Sequence, residues 1–204
     1  MKKILIKTGF LFILLLSFPG CEKDWLEVSP KGIINSESFY STAIEADQAV
    51  TAVYGILNYM QVWDFSILGD LGSSASDDAE AGGATPQDVA DWQNIDNFTF
   101  TPSLTGGFPQ PYGILYKMVF LANLALENLP DIPAKDTTAS VEFINLRLAE
   151  VKFLRSLAYF YLVQIFGEVP LADHVLGASE YNMPRSSLRS TFDLMESPVT
   201  GETT

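Results

Sequence analysis

The residues with the clearest potential for ligand binding lie in the stretch 61–111, which is rich in Gly, Asp and Ser and follows no sustained helical or strand period. It contains Trp63 and Trp92, two of the three tryptophans of the chain, and Asn94 and Asp96 follow Trp92 closely. Flat aromatic rings stack on the apolar face of a sugar ring, while amides and carboxylates hydrogen-bond its hydroxyl groups. Long loops in compact domains are usually functional. Trp63, Trp92, Asn94 and Asp96 are therefore the candidate ligand-binding residues.

The alternative role for both tryptophans is packing beneath the loop as an extension of the core. Trp63 directly follows a predicted helix, which favours packing. Trp92 stands between the polar residues Asp91 and Gln93, which favours exposure. Both roles are compatible with the sequence.

The other groups capable of chemistry have simpler interpretations. Asp77, Asp78 and Glu80 offer carboxylates for a calcium loop or a catalytic pair, but their spacing does not fit the EF-hand pattern. Acidic residues between Ser and Gly are more typical of a capped, solvated turn. His174 is the single histidine, and no nucleophile elbow, HExxH helix or Gly-rich phosphate loop accompanies it. We expect a surface-loop histidine, no catalytic residue, no metal and no cofactor.

The overall charge excludes one class of function. The chain of 204 residues carries 25 acidic and 12 basic side chains, a formal net charge of −13. A nucleic-acid-binding surface needs clustered Lys and Arg, and no such cluster occurs. The hydrophobic fraction of 48% is that of a folded domain.

The N-terminus has the pattern of an export signal. Lys2, Lys3 and Lys7 precede the apolar run 10–16, which is too short for a permanent membrane span. Gly20 and Cys21, the single cysteine, then resemble a bacterial lipobox, in which the thiol is acylated. We predict a signal peptide over 1–20, lipid attachment at Cys21 and a tether over 21–41. The alternative is a cytosolic protein with an apolar N-terminal helix and an incidental cysteine.

Hydrophobic periodicity predicts helices in the rest of the chain. The first begins at Thr42, where Thr42 and Glu45 form a capping box. The second covers about 112–128 and is apolar almost all round, so it belongs in the middle of a packed array. The third covers about 141–166 and is roughly 39 Å long. A fourth begins near Ser186, and 197–204 are expected to be an irregular tail at a truncated end.

One charged residue of the third helix needs a partner. Arg155 is flanked by apolar residues, and a buried arginine must be paired. We expect it to contact a buried carboxylate, Asp70 or Asp78, and so to hold the long loop onto the helix.

Several segments together resemble the SusD/RagB family of outer-membrane nutrient-binding lipoproteins. The strongest match is the helix AEVKFLRSLAYFYLV at 149–163, followed by FGEVPL at 166–171. Their order and spacing along the chain make the combination more specific than any one string. The supporting strings are SFY at 38–40, AVY at 52–54, LGD at 68–70, SDDA at 76–79, GG at 82–83, AN at 122–123 and YNMPR at 181–185.

The resemblance implies an all-α fold, a tetratricopeptide-like α-solenoid with long irregular loops. Residues 42–196 would be the N-terminal helical-repeat part, because family members are more than twice this length. It further implies a non-enzymatic surface lipoprotein of the cell outer membrane that binds nutrient oligosaccharides or peptides. The implied partner is a SusC-like TonB-dependent transporter, to which the nutrient is delivered.

Two other functions are compatible with the sequence. One is a lipid-anchored helical-repeat scaffold that binds another protein and no nutrient. The other is an exported glycoside hydrolase, which would use two of the 25 carboxylates in a paired geometry.

Overall fold

The computed structural model describes residues 39–62, 72–85, 87–99 and 109–200, and every regular element in these ranges is helical. All of them belong to one unit, Ser36–Thr204. Cys21, Trp63, the signal peptide and the tether up to residue 38 lie outside the described residues. None of the helices in the described part is sufficiently long and apolar for a membrane span.

The long helices follow the predicted pattern. The helices are α1 (Ala43–Val62), α2 (Gly72–Ser74), α3 (Ala90–Asp96), α4 (Pro109–Asn128), α5 (Ile132–Lys135), α6 (Val141–Phe166) and α7 (Leu188–Thr200), with a 3₁₀ turn at Leu129–Asp131. At the start of α1 the Glu45 amide donates to Thr42 Oγ1 at 3.2 Å, and the Thr42 amide donates to Glu45 Oε2 at 2.9 Å. The predicted capping box is confirmed.

The longest helix, α6, has the bounds that its sequence pattern predicts. Ser140 caps its N-terminus, because its hydroxyl accepts the Phe143 amide at 3.1 Å. Gly167 ends it with a positive φ of 70°, a conformation that glycine adopts without a steric penalty.

The end of the described chain differs from the prediction. Helix α7 begins at Leu188, where the Ser187 hydroxyl accepts the Ser190 amide at 3.1 Å, and it continues to Thr200. The prediction of an irregular segment was therefore wrong for residues 197–200, because the helix continues through them.

The core lies between α1, α4 and α6. Helix α4 packs against both α1 and α6, while α7 packs on α6. This confirms the central position predicted for α4 from its nearly all-apolar surface. Its fully buried side chains include Leu115, Met118 and Ala122, and those of α6 include Leu154 and Leu162.

Arg155 is buried between α4 and α6, and its partners differ from those predicted. Its Nη1 donates to Asn123 Oδ1 at 2.8 Å and to the backbone carbonyl of Asp173 at 2.9 Å. Asp78 is exposed, and Asp70 lies outside the described residues. The predicted pairing with Asp78 was wrong, because a neutral amide and a backbone carbonyl satisfy the guanidinium. Burial lowers the pKa of Arg155, yet arginine stays charged at every physiological pH.

The same cluster holds the extended segment 169–174 against the helices. The Asn123 side-chain amide donates to the carbonyls of Ala172 and His174 at 2.9 and 2.8 Å. The Tyr159 hydroxyl accepts the Ala172 amide at 2.7 Å and lies 3.1 Å from the Ala172 carbonyl, and burial raises the pKa of Tyr159 to about 12. These side chains satisfy backbone groups that no strand ladder satisfies. We call Asn123, Arg155 and Tyr159 the polar clamp.

Substitution of the central amide should destabilise the protein. Asn123→Ala removes the acceptor of Arg155 and the donor to two carbonyls, so we expect the free energy of unfolding to fall by about 2–4 kcal/mol. Urea denaturation followed by circular dichroism measures it. The control Asn145→Ala, at an exposed position of α6, should lower stability by no more than about 0.5 kcal/mol. Equal effects of the two substitutions would contradict the role of the clamp.

Candidate ligand-binding site

A cavity of about 440 Å³ lies between α4 and the segment that follows α6. Its volume is within the range of small-molecule sites, about 300–1,000 Å³. We call it the aromatic cavity. It is lined by Tyr112, Gly113, Tyr116, Lys117, Val119, Phe120 and Asn123 of α4 and by Pro170, Ala172, His174, Leu176, Tyr181 and Met183.

One wall of the aromatic cavity is a row of rings on α4. Tyr112, Tyr116 and Phe120 follow one another at intervals of four residues, which places them on one face of the helix over about 12 Å. The ring centroids of Tyr112 and Tyr116 are 4.6 Å apart, and the Phe166 ring meets Tyr112 edge-on at 5.2 Å. Tyr112 and Phe120 are 37% and 48% exposed, so their faces remain accessible to a ligand.

The base of the aromatic cavity rests on the polar clamp. Asn123 and Ala172 both line the cavity, and the Asn123 side-chain amide donates to the Ala172 carbonyl. The Tyr116 hydroxyl donates to the Pro170 carbonyl at 2.6 Å. Burial raises the pKa of Tyr116 well above its usual value, so this hydroxyl remains a donor. The wall formed by residues 170–174 is thus fixed to α4 by side-chain hydrogen bonds rather than by regular structure.

His174 lies at the rim, in an exposed loop as predicted, and it joins the two ends of that loop. Its Nδ1 is 2.7 Å from Asp173 Oδ1 and its Nε2 is 3.0 Å from Glu180 Oε1. The hydrogen bonds to Asp173 and Glu180 raise the pKa of His174. The Gly177 amide, which donates to Glu180 at 2.7 Å, and then His174 lower the pKa of Glu180.

Sequence reasoning did not find the aromatic cavity. The rings of α4 were counted with the apolar residues of a helix surrounded by others, although their spacing of four also indicates a separate stripe. Tyr181 was noted in a family motif and not as a site residue. What brings it to α4 is the return of the chain after Gly167, which periodicity does not predict.

The predicted residue Trp92 lines a second depression, of about 510 Å³, which we call the tryptophan groove. Ser74, Glu80, Gly82, Gly83 and Val89 also line it, together with Ala81. Trp92 is partly buried and packs against the hydrophobic core. The ring of Trp92 therefore packs as the alternative role predicts, while one part of it lines the groove, and its part in ligand binding remains a prediction.

Asn94 and Asp96 are used within the loop itself. Asn94 Oδ1 accepts the Thr99 hydroxyl at 2.8 Å, and Asp96 Oδ2 accepts the Ala81 amide at 3.3 Å. Neither is among the residues that line the tryptophan groove. Their role as ligand contacts therefore stays a prediction, as does that of Trp63, which lies outside the described residues.

The tryptophan groove is supported by a tightly folded turn. Gln93 Nε2 donates to the carbonyls of Thr85 and Asp88 at 3.2 and 3.0 Å. Gly83 has φ +128°, and a Cβ there would lie 3.0 Å from the Asp88 Cβ, so only glycine fits. Asp77, Asp78 and Glu80 are exposed, and the Asp78 amide donates to the Ser76 hydroxyl at 3.2 Å. In the described ranges no three His, Cys, Asp or Glu side chains are grouped closely enough to hold a metal.

The described part of the chain is an array of helices, and the aromatic cavity lies between α4 and the segment that follows α6. A comparison of the sequence with known protein families identifies one family. The profile of a SusD-like family, described as starch-binding and associating with the outer membrane, matches residues 24–200. The chain belongs to this family, the SusD/RagB family.

Known relatives agree with this assignment. A SusD-like protein of Formosa agariphila is 29% identical over 95% of this chain and 36% of its own length, and a second is 27% identical over 79% and 30%. A laminarin-binding SusD-like protein of known structure superposes with a TM-score of 0.70 at 30% identity, over 78% of this chain and 33% of that one. The expected all-α, tetratricopeptide-like fold is confirmed, and the chain spans about a third of the length of these relatives.

The contribution of the His174 contacts at the cavity rim to stability should depend on pH. Because folding raises the pKa of His174, its stabilising effect is full below the unfolded value of 6.5 and is lost as the pH rises through the folded value. The effect of Glu180 is present above 4.5 and is lost as the pH falls through its lowered pKa. The loop contact is therefore strongest between pH 4.5 and 6.5.

The single histidine gives one resolved imidazole resonance for a titration by nuclear magnetic resonance. We expect a pKa above 6.5 that falls on Glu180→Gln, whereas Glu168→Gln, at an exposed position outside the contact, should leave it unchanged. A pKa at or below 6.5 in the unsubstituted protein would contradict the contact.

Proposed function

We propose that this protein binds nutrient oligosaccharides at the cell surface and delivers them to a SusC-like TonB-dependent outer-membrane transporter. The aromatic cavity carries the proposal, since it is a ligand-sized space with accessible rings in a chain of the SusD/RagB family. The description of the family as starch-binding and outer-membrane-associated, and the laminarin-binding relative, support it.

The cavity has the chemistry that saccharide binding needs. The apolar CH face of a pyranose stacks on an aromatic ring, and Tyr112 and Phe120 expose such faces along one side of α4. The Tyr112 and Tyr181 hydroxyls and the Lys117 ammonium supply polar groups for the sugar hydroxyls. A linear oligosaccharide lies along the row with its hydroxyl edges toward these groups and toward water.

The proposed task is binding and release rather than chemistry. Glycoside hydrolysis normally requires two carboxyl groups placed on either side of the scissile bond. Among the described residues that line the aromatic cavity there is no Asp or Glu. This composition supports a carrier that hands over an unaltered ligand, and not the hydrolase.

Truncation of the exposed rings tests the proposed site. We expect Tyr112→Ala and Phe120→Ala each to weaken oligosaccharide binding about tenfold, or about 1.4 kcal/mol, because each removes a stacking surface. Isothermal titration of the purified protein against a panel of oligosaccharides and peptides measures the affinities. The matched control is Phe153→Ala, which truncates a ring that is 62% exposed on α6 and does not line the cavity.

The outcomes of this titration separate the alternatives. If Trp92→Ala weakens oligosaccharide binding and Tyr112→Ala does not, the binding site is the tryptophan groove and not the aromatic cavity. Absence of any binding, together with co-purification with a β-barrel protein, would reject nutrient binding and favour the protein-binding scaffold. Release of reducing sugar during the incubation would favour the hydrolase.

We further propose that acylation of Cys21 anchors the protein to the outer membrane. Each methylene of an acyl chain that enters the bilayer contributes about 0.8 kcal/mol, so several chains on one residue hold a protein stably. In a bacterium with an outer membrane, the Cys21→Ala protein should be absent from the membrane fraction and should not incorporate a palmitate label. The control Ser17→Ala should stay in the membrane, and salt-resistant membrane retention of Cys21→Ala would contradict the anchor.

A further inference from the structure

The lining of the aromatic cavity differs in composition from the acidic chain. The protein has 25 acidic and 12 basic side chains, yet the described residues that line this cavity include Lys117 and His174 and no carboxylate. The tryptophan groove shows the reverse, with Glu80 and no basic residue among the described residues that line it. The cavity lining therefore combines a lysine with an absence of carboxylates, which favours a ligand that carries negative charge.

Lys117 is placed to meet a ligand that lies on the aromatic row. It follows Tyr116 directly and precedes Phe120 by three residues, so its stem leaves α4 beside the rings. It is exposed, and within the described ranges no carboxylate lies within ion-pair distance of its ammonium group. Arg147 and Arg189, by contrast, pair with Asp47 and Asp193 at 2.6 and 2.9 Å.

The carboxylates at the rim of the aromatic cavity already have donors. Asp173 and Glu180 contact the two ring nitrogens of His174 at 2.7 and 3.0 Å, and Glu180 also accepts the Gly177 amide. Glu127 accepts the Val175 amide at 2.6 Å. These contacts hold the three carboxylates within the loop and its junction with α4, and none of them pairs with Lys117 among the described residues, so its ammonium remains available to a ligand on the aromatic row.

We propose that the aromatic cavity selects an anionic saccharide, one that bears a carboxylate or a sulfate group, and that Lys117 binds this group while the ring stacks on the aromatic row. This inference rests on the proposed function and names the class of its ligand. A lysine ammonium binds either anion as a point charge, without the fixed fork of an arginine. The acidity of the rest of the chain opposes the approach of such a ligand only weakly, because salt screens exposed charges beyond about 8 Å.

Matched ligands that differ only in charge test the proposal. The probes are oligogalacturonate with its methyl ester, cello-oligosaccharides with their C6-oxidised uronates, and a sulfated galactan oligosaccharide with its desulfated form. We expect the anionic member of at least one pair to bind about tenfold more tightly at 50 mM salt and to lose most of that preference at 500 mM. The pair that shows this preference identifies the anion as a carboxylate or a sulfate group.

Substitution of the lysine assigns the preference to the cavity. Lys117→Met keeps the apolar stem and removes the ammonium, so it should abolish the preference for the anionic member of a pair. Any loss of affinity for the neutral member should be smaller than the loss for the anionic member. Lys152→Met on α6, which does not line the cavity, is the matched control and should preserve the preference.

Two results would overturn the inference in distinguishable ways. If neutral members bind as tightly as anionic ones, and Lys117→Met changes neither affinity, the charge selectivity is wrong and oligosaccharide binding stands. If no member of any pair binds, and no glycan of the broader panel does, the proposed function falls together with the inference.

Discussion

The structure depends on one buried polar contact, the hydrogen bond from the guanidinium of Arg155 to the side-chain oxygen of Asn123. A charged group in the core between two helices costs several kcal/mol unless it is satisfied. The same two residues use their remaining capacity on the carbonyls of Ala172, Asp173 and His174. The charge is therefore fully stabilised only when the segment after α6 lies in place, so we expect the docking of that segment to be coupled to the packing of α4 on α6.

This coupling explains how a cavity forms on a helix surface without a sheet or a disulfide. The aromatic rings of α4 would be an exposed stripe if the chain continued away from Gly167. The positive φ of Gly167 turns the chain, and Tyr116, Asn123 and Tyr159 bind the backbone at Pro170 and Ala172. The wall opposite the rings is thus attached at its base and left irregular above, where His174 closes the loop with Glu180.

Local signals in the sequence predicted the long helices well, since hydrophobic periodicity and the capping box at Thr42 act within a few residues. The cap at Ser140 and the stop at Gly167 are equally local. The partner of Arg155 was missed because it depends on which segments meet. The charge of arginine favoured a search for carboxylates, while the structure uses an amide and backbone carbonyls, which carry no sequence signature. Trp92 was predicted as a site residue from its polar neighbours, and this stays a prediction. The aromatic cavity needs Tyr181 and Tyr112 together, about 70 residues apart along the chain. Helical periodicity describes only neighbouring residues, so it cannot predict that Tyr112 and Tyr181 lie close together.

The geometry also bears on how a carrier gives up its ligand. Tyr112, Phe120 and Tyr181 are 37–72% exposed, so the aromatic row is open to solvent, and a saccharide stacked on it in the proposed role would keep its outer face in water. Partial burial limits the affinity, because only the apolar area removed from water contributes to binding. A carrier that delivers to a transporter needs this limit, since a ligand held at nanomolar strength leaves slowly when on-rates are ordinary. In the proposed role, an aromatic row that is anchored through the polar clamp but open to solvent would combine a fixed shape with a limited affinity. The hydrogen bonds of the opposite wall to α4 lower the cost of ordering that wall when a ligand binds, and the openness of the row would keep the affinity low enough for the proposed transfer.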